Sequence, residues 1–311
     1  MSSIVTVHVI AAGAALLPLL QAASWEGQIA AVFHRSLLLS APNERLLHLH
    51  AGPRLVSPFS LRTDAALARV LADTPLVRGM PVRQMGPAID IAGQLRLRLG
   101  EVTYYRSPQP STGEIDPRAL RIARQALRVH GRAGGFDTLP GVRTTVAAIQ
   151  QAIAAGNSRQ LRETAHGLIG LGPGLTPSGD DFLVGCLRGL WLASRDEAAA
   201  REMLDRTGDG LVADLSERTT QVGAEFLRYA CGGAFAEILD HAAETLAAPT
   251  HPERVQRAIV SLLAQGETSG TDTTRGLLTC VDALLSRPSY NQSHPPERVS
   301  AVAATSVATR G

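Results

Sequence analysis

The apolar residues of this chain change their spacing once, and that change limits what it can fold into. In Leu95-Arg96-Leu97-Arg98-Leu99 every second residue is apolar, the signature of a strand with one wet face. Similar short pieces occupy 28–34, 36–40, 46–50, 54–56, 89–91 and 94–105, separated by turn-forming groups such as Ala41-Pro42-Asn43-Glu44 and Gly86-Pro87. A single helix is expected among them, over 63–71. The segment Ser107-Pro108-Gln109-Pro110-Ser111-Thr112-Gly113 then breaks regular structure, and beyond it the apolar spacing becomes helical. Helices are predicted over 117–130, 142–155, 158–166, 180–193, 198–205, 209–230, 235–247, 252–264 and 273–285. The expectation is an α+β protein: a β-rich first domain over 1–110, an antiparallel sheet or small barrel, then an all-helical domain over 111–287. Residues 288–311 lack a sustained apolar face and read as a flexible tail.

The opening run 4–23 is apolar but has no basic start, and Thr6 and His8 alternate with valines, so it reads as a buried strand turning into a short helix rather than an export signal. No other run is long enough to span a bilayer. A net charge of +2, from 30 basic and 28 acidic residues, gives no general field for nucleic acid or anionic membrane. All the basic residues are arginines, so Schiff-base and Walker-type lysine chemistry are excluded. Cys186, Cys231 and Cys280 are odd in number and widely separated, which fits a reducing cytoplasm and gives neither a disulfide framework nor zinc-ligand spacing. Cys186 and Cys280 read as packed thiols inside helices.

The segment that carries most chemical information is Gly170-Leu171-Gly172-Pro173-Gly174-Leu175-Thr176-Pro177-Ser178-Gly179-Asp180-Asp181, leading into an apolar helix. A loop so poor in side chains can turn its backbone amides toward a ligand, and it opens onto a helix N-terminus that favours anions. Gly172, Gly174, Thr176, Ser178 and Gly179 are the binding candidates here, and Asp180 and Asp181 are candidate catalytic carboxylates. Gly185 and Gly189 in the following helix would let another backbone approach. The bland reading is a capping box formed by Ser178 and Asp181. A second segment, 266–276, has the same design: Ser269, Gly270, Thr271 and Thr273 are binding candidates, and Asp272 is a third carboxylate or an ordinary cap. With Asp180 and Asp181 it could hold a divalent cation. Arg218, Thr219 and Thr220 form a third group able to clamp an oxyanion, or a solvated helix end. His166 reads as a helix-terminal charge partner rather than a base, and His48 and His50 as surface or sheet-face residues.

At Gly170-Leu-Gly-Pro-Gly-Leu-Thr-Pro-Ser-Gly-Asp-Asp-Phe182 the chain resembles the AllH-type subunit of oxamate carbamoyltransferase, a family first catalogued as a domain of unknown function. The resemblance continues through Thr219-Thr220, Phe226-Leu227, Gly232-Gly233-Ala234-Phe235 and 266–276. It covers mainly 140–285 and more weakly the β-rich part; Glu267 and Gly223 depart from the family pattern. It implies a role in allantoin degradation, moving a carbamoyl group between carbamoyl phosphate and an acceptor such as oxamate, alongside two larger partner subunits. Small anions of that kind suit glycine-rich helix starts and an arginine fork. Two other readings stay open from the residues: a non-catalytic metabolite-binding or scaffolding subunit, and a stand-alone metal-dependent hydrolase using Asp180, Asp181 and Asp272.

Overall fold

The computed structural model describes residues 4–51, 56–64, 66–109, 114–194, 198–247 and 251–287. Among these, nine strands lie between Val5 and Tyr105: β1 (Val5–Gly13), β2 (Ser24–Phe33), β3 (Ser36–Ser40), β4 (Leu46–Ala51), β5 (Ser60–Thr63), β6 (Pro81–Met85), β7 (Ala88–Ile91), β8 (Leu95–Arg98) and β9 (Thr103–Tyr105). Two short helices interrupt them, α1 (Leu17–Leu20) and α2 (Ala66–Asp73). The sheet runs β5-β4-β3-β2-β6-β7-β8-β1 and closes through a β1–β5 pairing, so it is a barrel. β1 makes the closure: it pairs parallel with β8 at its start and, either side of a bulge between Val9 and Ala11, antiparallel with β5. Closure removes exposed edges from those eight strands and buries Leu37, Leu39, Leu47, Leu49, Ile89 and Leu97 completely.

The barrel departs from the sequence expectation in its details. The single strand expected over 94–105 is two, because the chain turns at Gly100 and β9 pairs with the far end of β1. β5 and β6 are strands that periodicity did not reveal; in β6 the fully buried Gln84 is held by its amide on the carbonyl of Leu20, at 2.7 Å. Of the strand expected over 54–56, residues 54 and 55 lie outside the described residues, as does the tail 288–311.

Helices follow: α3 (Pro117–His130), α4 (Val142–Ala154), α5 (Ser158–His166), α6 (Ser178–Ala193), α7 (Ala198–Leu211), α8 (Leu215–Arg218), α9 (Gln221–Cys231), α10 (Glu237–Ala247), α11 (Pro252–Leu263) and α12 (Ser269–Leu285). The helix expected over 209–230 is broken, because the Thr220 hydroxyl accepts from the Gly223 amide and starts α9 afresh. The loop expected over 266–276 is helical from Ser269 onward. Its glycines serve packing: a Cβ at Gly276 would lie 1.9 Å from the Phe182 carbonyl oxygen, and one at Gly270 2.0 Å from that of Leu262. Gly185 answers from α6, where a Cβ would lie 2.0 Å from the Thr273 carbonyl oxygen. α6 and α12 thus cross with their backbones nearly touching, and α6 is buried along almost its whole length.

The barrel and the helices share one interface. Glu225, 1% exposed, accepts from Arg45 Nε at 2.9 Å and from the Leu46 amide at 2.7 Å. Phe226 packs edge-on against Phe59 with ring centroids 4.8 Å apart, and Tyr229 joins the barrel core. Glu237 binds the Val56 backbone at both its own amide and its carboxylate. Among the described residues no helix is long and apolar enough to cross a membrane.

Candidate functional site

The close crossing of α6 and α12 brings their first turns together. Ser178 does not cap α6: Pro177 holds the cap position with no side-chain bond, so the capping box of the bland reading is absent. Proline fixes its own backbone there, and the loop supplies the remaining partners. The Gly179 amide donates to Leu171 O at 2.9 Å, the Asp180 amide to Pro177 O at 2.9 Å, and the Gly170 amide to Asp180 Oδ1 at 2.8 Å. On α12 the Gly270 amide donates to Gln265 O at 3.0 Å. Many of the loop amides are therefore used within the fold.

The three carboxylates have different surroundings. Asp180, 1% exposed, accepts from the Gly170 amide and the Thr219 hydroxyl, which ties the glycine loop to the start of α9. Gly223 leaves room for it, since a Cβ there would lie 2.2 Å from Asp180 Oδ2. Asp272, fully buried, accepts from the Phe136 amide at 3.0 Å and lies 3.9 Å from the Arg275 guanidinium. Burial pushes both carboxyls above their ordinary range, against the hydrogen bonds they accept. Asp181 is 9% exposed and its Oδ2 has no hydrogen-bond partner among the described residues. Burial raises its carboxyl to about 7, the nearby hydroxyls of Ser269 and Thr176 lower it in part, and the charges of Asp272 and Asp180 raise it.

Asp181 lines a cavity of about 370 Å³ between the barrel and the helices. Around it stand Thr176, Ser269, Gly270 and Thr273 from the two helix starts, and His48 and His50 from β4. The Thr176 and Ser269 hydroxyls are 3.0 Å apart. His48 and His50 share one face of β4, with ring centroids 5.4 Å apart. The rest of the lining is largely apolar, with Val184, Phe226, Phe235, Ile238, Leu239 and Leu262. The alternation of His48 and His50 on a strand was legible in the sequence; that this face of the barrel meets the helices was not.

The other sequence candidates lie off this cavity. Arg218 is exposed and its guanidinium donates to the His166 carbonyl at 2.8 Å, and His166 Nε2 lies 3.1 Å from Asp214 Oδ1. Thr219 bonds Asp180, and Thr220 donates to Leu175 O at 2.5 Å. Thr271 accepts from the Arg132 amide at 3.0 Å. Gly172 and Gly174 adopt positive φ in the loop, at 109° and 98°, and Gly179 packs against Leu168 O. Among the described residues no three His, Cys, Asp or Glu side chains form a group able to hold a metal ion, so Asp180, Asp181 and Asp272 do not make the cation cradle their spacing allowed.

Comparison with known proteins agrees with this architecture. The profile of a family described as oxamate carbamoyltransferase subunit AllH matches residues 168–281, from the end of the α5 turn to within α12. That of the AllH family N-terminal domain matches 8–104, the barrel. No solved structure matches the chain.

Proposed function

The chain belongs to the AllH family, and from that premise we propose that it works as a subunit of a carbamoyltransferase whose acceptor amide, oxamate or a relative, binds in the cavity beside Asp181. The observation that carries this reading is the buried Asp181 carboxyl, whose Oδ2 has no hydrogen-bond partner among the described residues, in the lining of a cavity large enough for a substrate. A buried acceptor left without a donor costs roughly 1–3 kcal/mol, which the N–H of an amide relieves. In the transfer, the acceptor nitrogen bonds to the carbamoyl carbon of carbamoyl phosphate, the bond from that carbon to the phosphate oxygen breaks, and phosphate departs with the electron pair. The proton lost by the nitrogen passes to Asp181, whose carboxyl, at about 7, is poised to accept it near neutral pH.

The ends of α6 and α12 at this cavity are N-terminal, and their dipoles favour the negative part of the ligand, as do His48 and His50 when protonated. Of the sequence candidates, Thr176, Asp181, Ser269, Gly270 and Thr273 are assigned to the ligand, and Asp180, Asp272 and Thr219 to holding the helix starts in place. Two larger partner subunits complete the enzyme in this reading, and the free cysteines suit a cytoplasmic setting. The test is phosphate release from carbamoyl phosphate and oxamate by the assembled subunits. Asp181→Ala is expected to abolish turnover while leaving assembly intact. Full activity of the partners without this chain would remove its catalytic role.

A further inference from the structure

The cavity is too large and too apolar for oxamate alone. Oxamate is a few atoms across and polar throughout, whereas about 370 Å³ falls within the roughly 300–1,000 Å³ of sites that enclose drug-sized molecules. Asp181, Thr176 and Ser269 meet at the starts of α6 and α12, and further polar groups, His48, His50, Ser57 and Gln265, line the cavity from the barrel and from the end of α11. Val184 one turn along α6, Phe226 of α9, Ile238 and Leu239 of α10 and Leu262 of α11 supply an aliphatic and aromatic wall that a small anion would leave without contacts. Among the described residues no arginine lines the space. A head that donates a hydrogen bond suits the Asp181 carboxyl, which is short of one donor. An ammonium head would do so beside two imidazoles, His48 and His50, which carry like charge when protonated.

We infer that the cavity accepts a neutral amide or ureido head bearing an aliphatic body, with the head N–H on Asp181 and the body against Val184, Ile238 and Leu239. This rests on the reading of the Asp181 cavity as the acceptor site, and it widens the substrate class of that site beyond oxamate. A ureido group is also what carbamoylation of an amine produces, so the same head would serve a product.

The experiment is calorimetric titration of the full chain with methylurea, propylurea, pentylurea, pentylamine and oxamate. The dissociation constant is expected to fall about three- to four-fold per added methylene along the urea series. Ile238→Trp, at a half-buried position, should cancel that gain for pentylurea and leave methylurea unchanged. Asp181→Ala should weaken every urea by about ten-fold. A urea series with no dependence on chain length, alongside oxamate binding that needs Asp181, overturns this inference and leaves the acceptor site standing. Tighter binding of pentylamine than of pentylurea overturns the neutral head. No binding of any probe, oxamate included, overturns the acceptor site and the inference together.

Discussion

The hydroxyl oxygens of Thr176 and Ser269, 93 positions apart in the chain, stand 3.0 Å from each other beside Asp181. One precedes α6 and the other opens α12, so their meeting measures how closely the two helix starts are registered. Both hydroxyls also hold the Asp181 carboxyl below the value that burial alone would give it.

Replacing Thr176 by Val and Ser269 by Ala should therefore move Asp181 further up, because desolvation then acts without its two compensating donors. The acidic limb of the pH profile of kcat for carbamoyl transfer is expected to shift to higher pH. An unchanged limb would show that Asp181 is not the group titrating in it.

Asp181 also links stability to pH. Its native carboxyl sits at about 7 against 3.8 for an unperturbed aspartate, so between those values the folded chain keeps a proton that the unfolded chain releases. Stability falls as the pH rises through that window, levels off above about 7, and owes nothing to this group below about 4. Asp181→Asn should flatten part of the slope, with Asp180 and Asp272 keeping a residual one. Urea midpoints measured from pH 4 to 8 decide the matter: the variant should gain on the native chain at pH 8 and match it at pH 4.

Gly276→Ala should be severe. Its Cβ would lie 1.9 Å from the Phe182 carbonyl oxygen and 3.0 Å from the Cys186 amide nitrogen, both backbone atoms of α6 that cannot rotate away. Forcing two packed elements apart costs typically about 1–3 kcal/mol and occasionally more. The melting temperature should drop, and the separation of Thr176 from Ser269 should grow with it. A variant as stable as the native chain would contradict the close crossing of α6 and α12.

The buried ion pair of Arg188 and Asp240 supports the same region from the α10 side. Arg188 is fully buried and reaches Asp240 Oδ1 at 2.6 Å and Glu244 Oε1 at 2.8 Å. Asp240 in turn accepts from the Tyr105 hydroxyl at 2.8 Å, at the end of the barrel. Arg188→Met strands the Asp240 carboxylate, at a cost of about 3–5 kcal/mol. Adding Asp240→Leu should recover most of the loss, since the buried carboxylate is then gone and the remaining one, on Glu244, is 34% exposed to water. Equal unfolding free energies for the single and double variants would refute this account.

Fixed by the sequence alone were the division of labour along the chain and the glycine loop that leads into a buried helix. Alternation marked β4, β7 and β8, a short apolar run between turn residues marked β3, and helical spacing gave α3 to the residue, because these are local consequences of which sides must be dry. Gln84 and Arg62 hid β6 and β5, since both are polar side chains inside short strands, and Gln84 finds its partner on Leu20 only once the barrel is closed. The glycines of 266–276 looked like loop residues because a glycine that permits two helices to touch has the same local signature as one that permits a turn. Tertiary structure alone decided which of three aspartates faces open space. Asp180 and Asp272 turn to the Gly170 and Phe136 amides and Asp181 to the cavity, while His48 and His50 meet it only because that face of the barrel packs on α6 and α12. The pairing of Phe136 with Asp272 and the meeting of β4 with α6 and α12 join residues more than a hundred positions apart, and no local pattern encodes them.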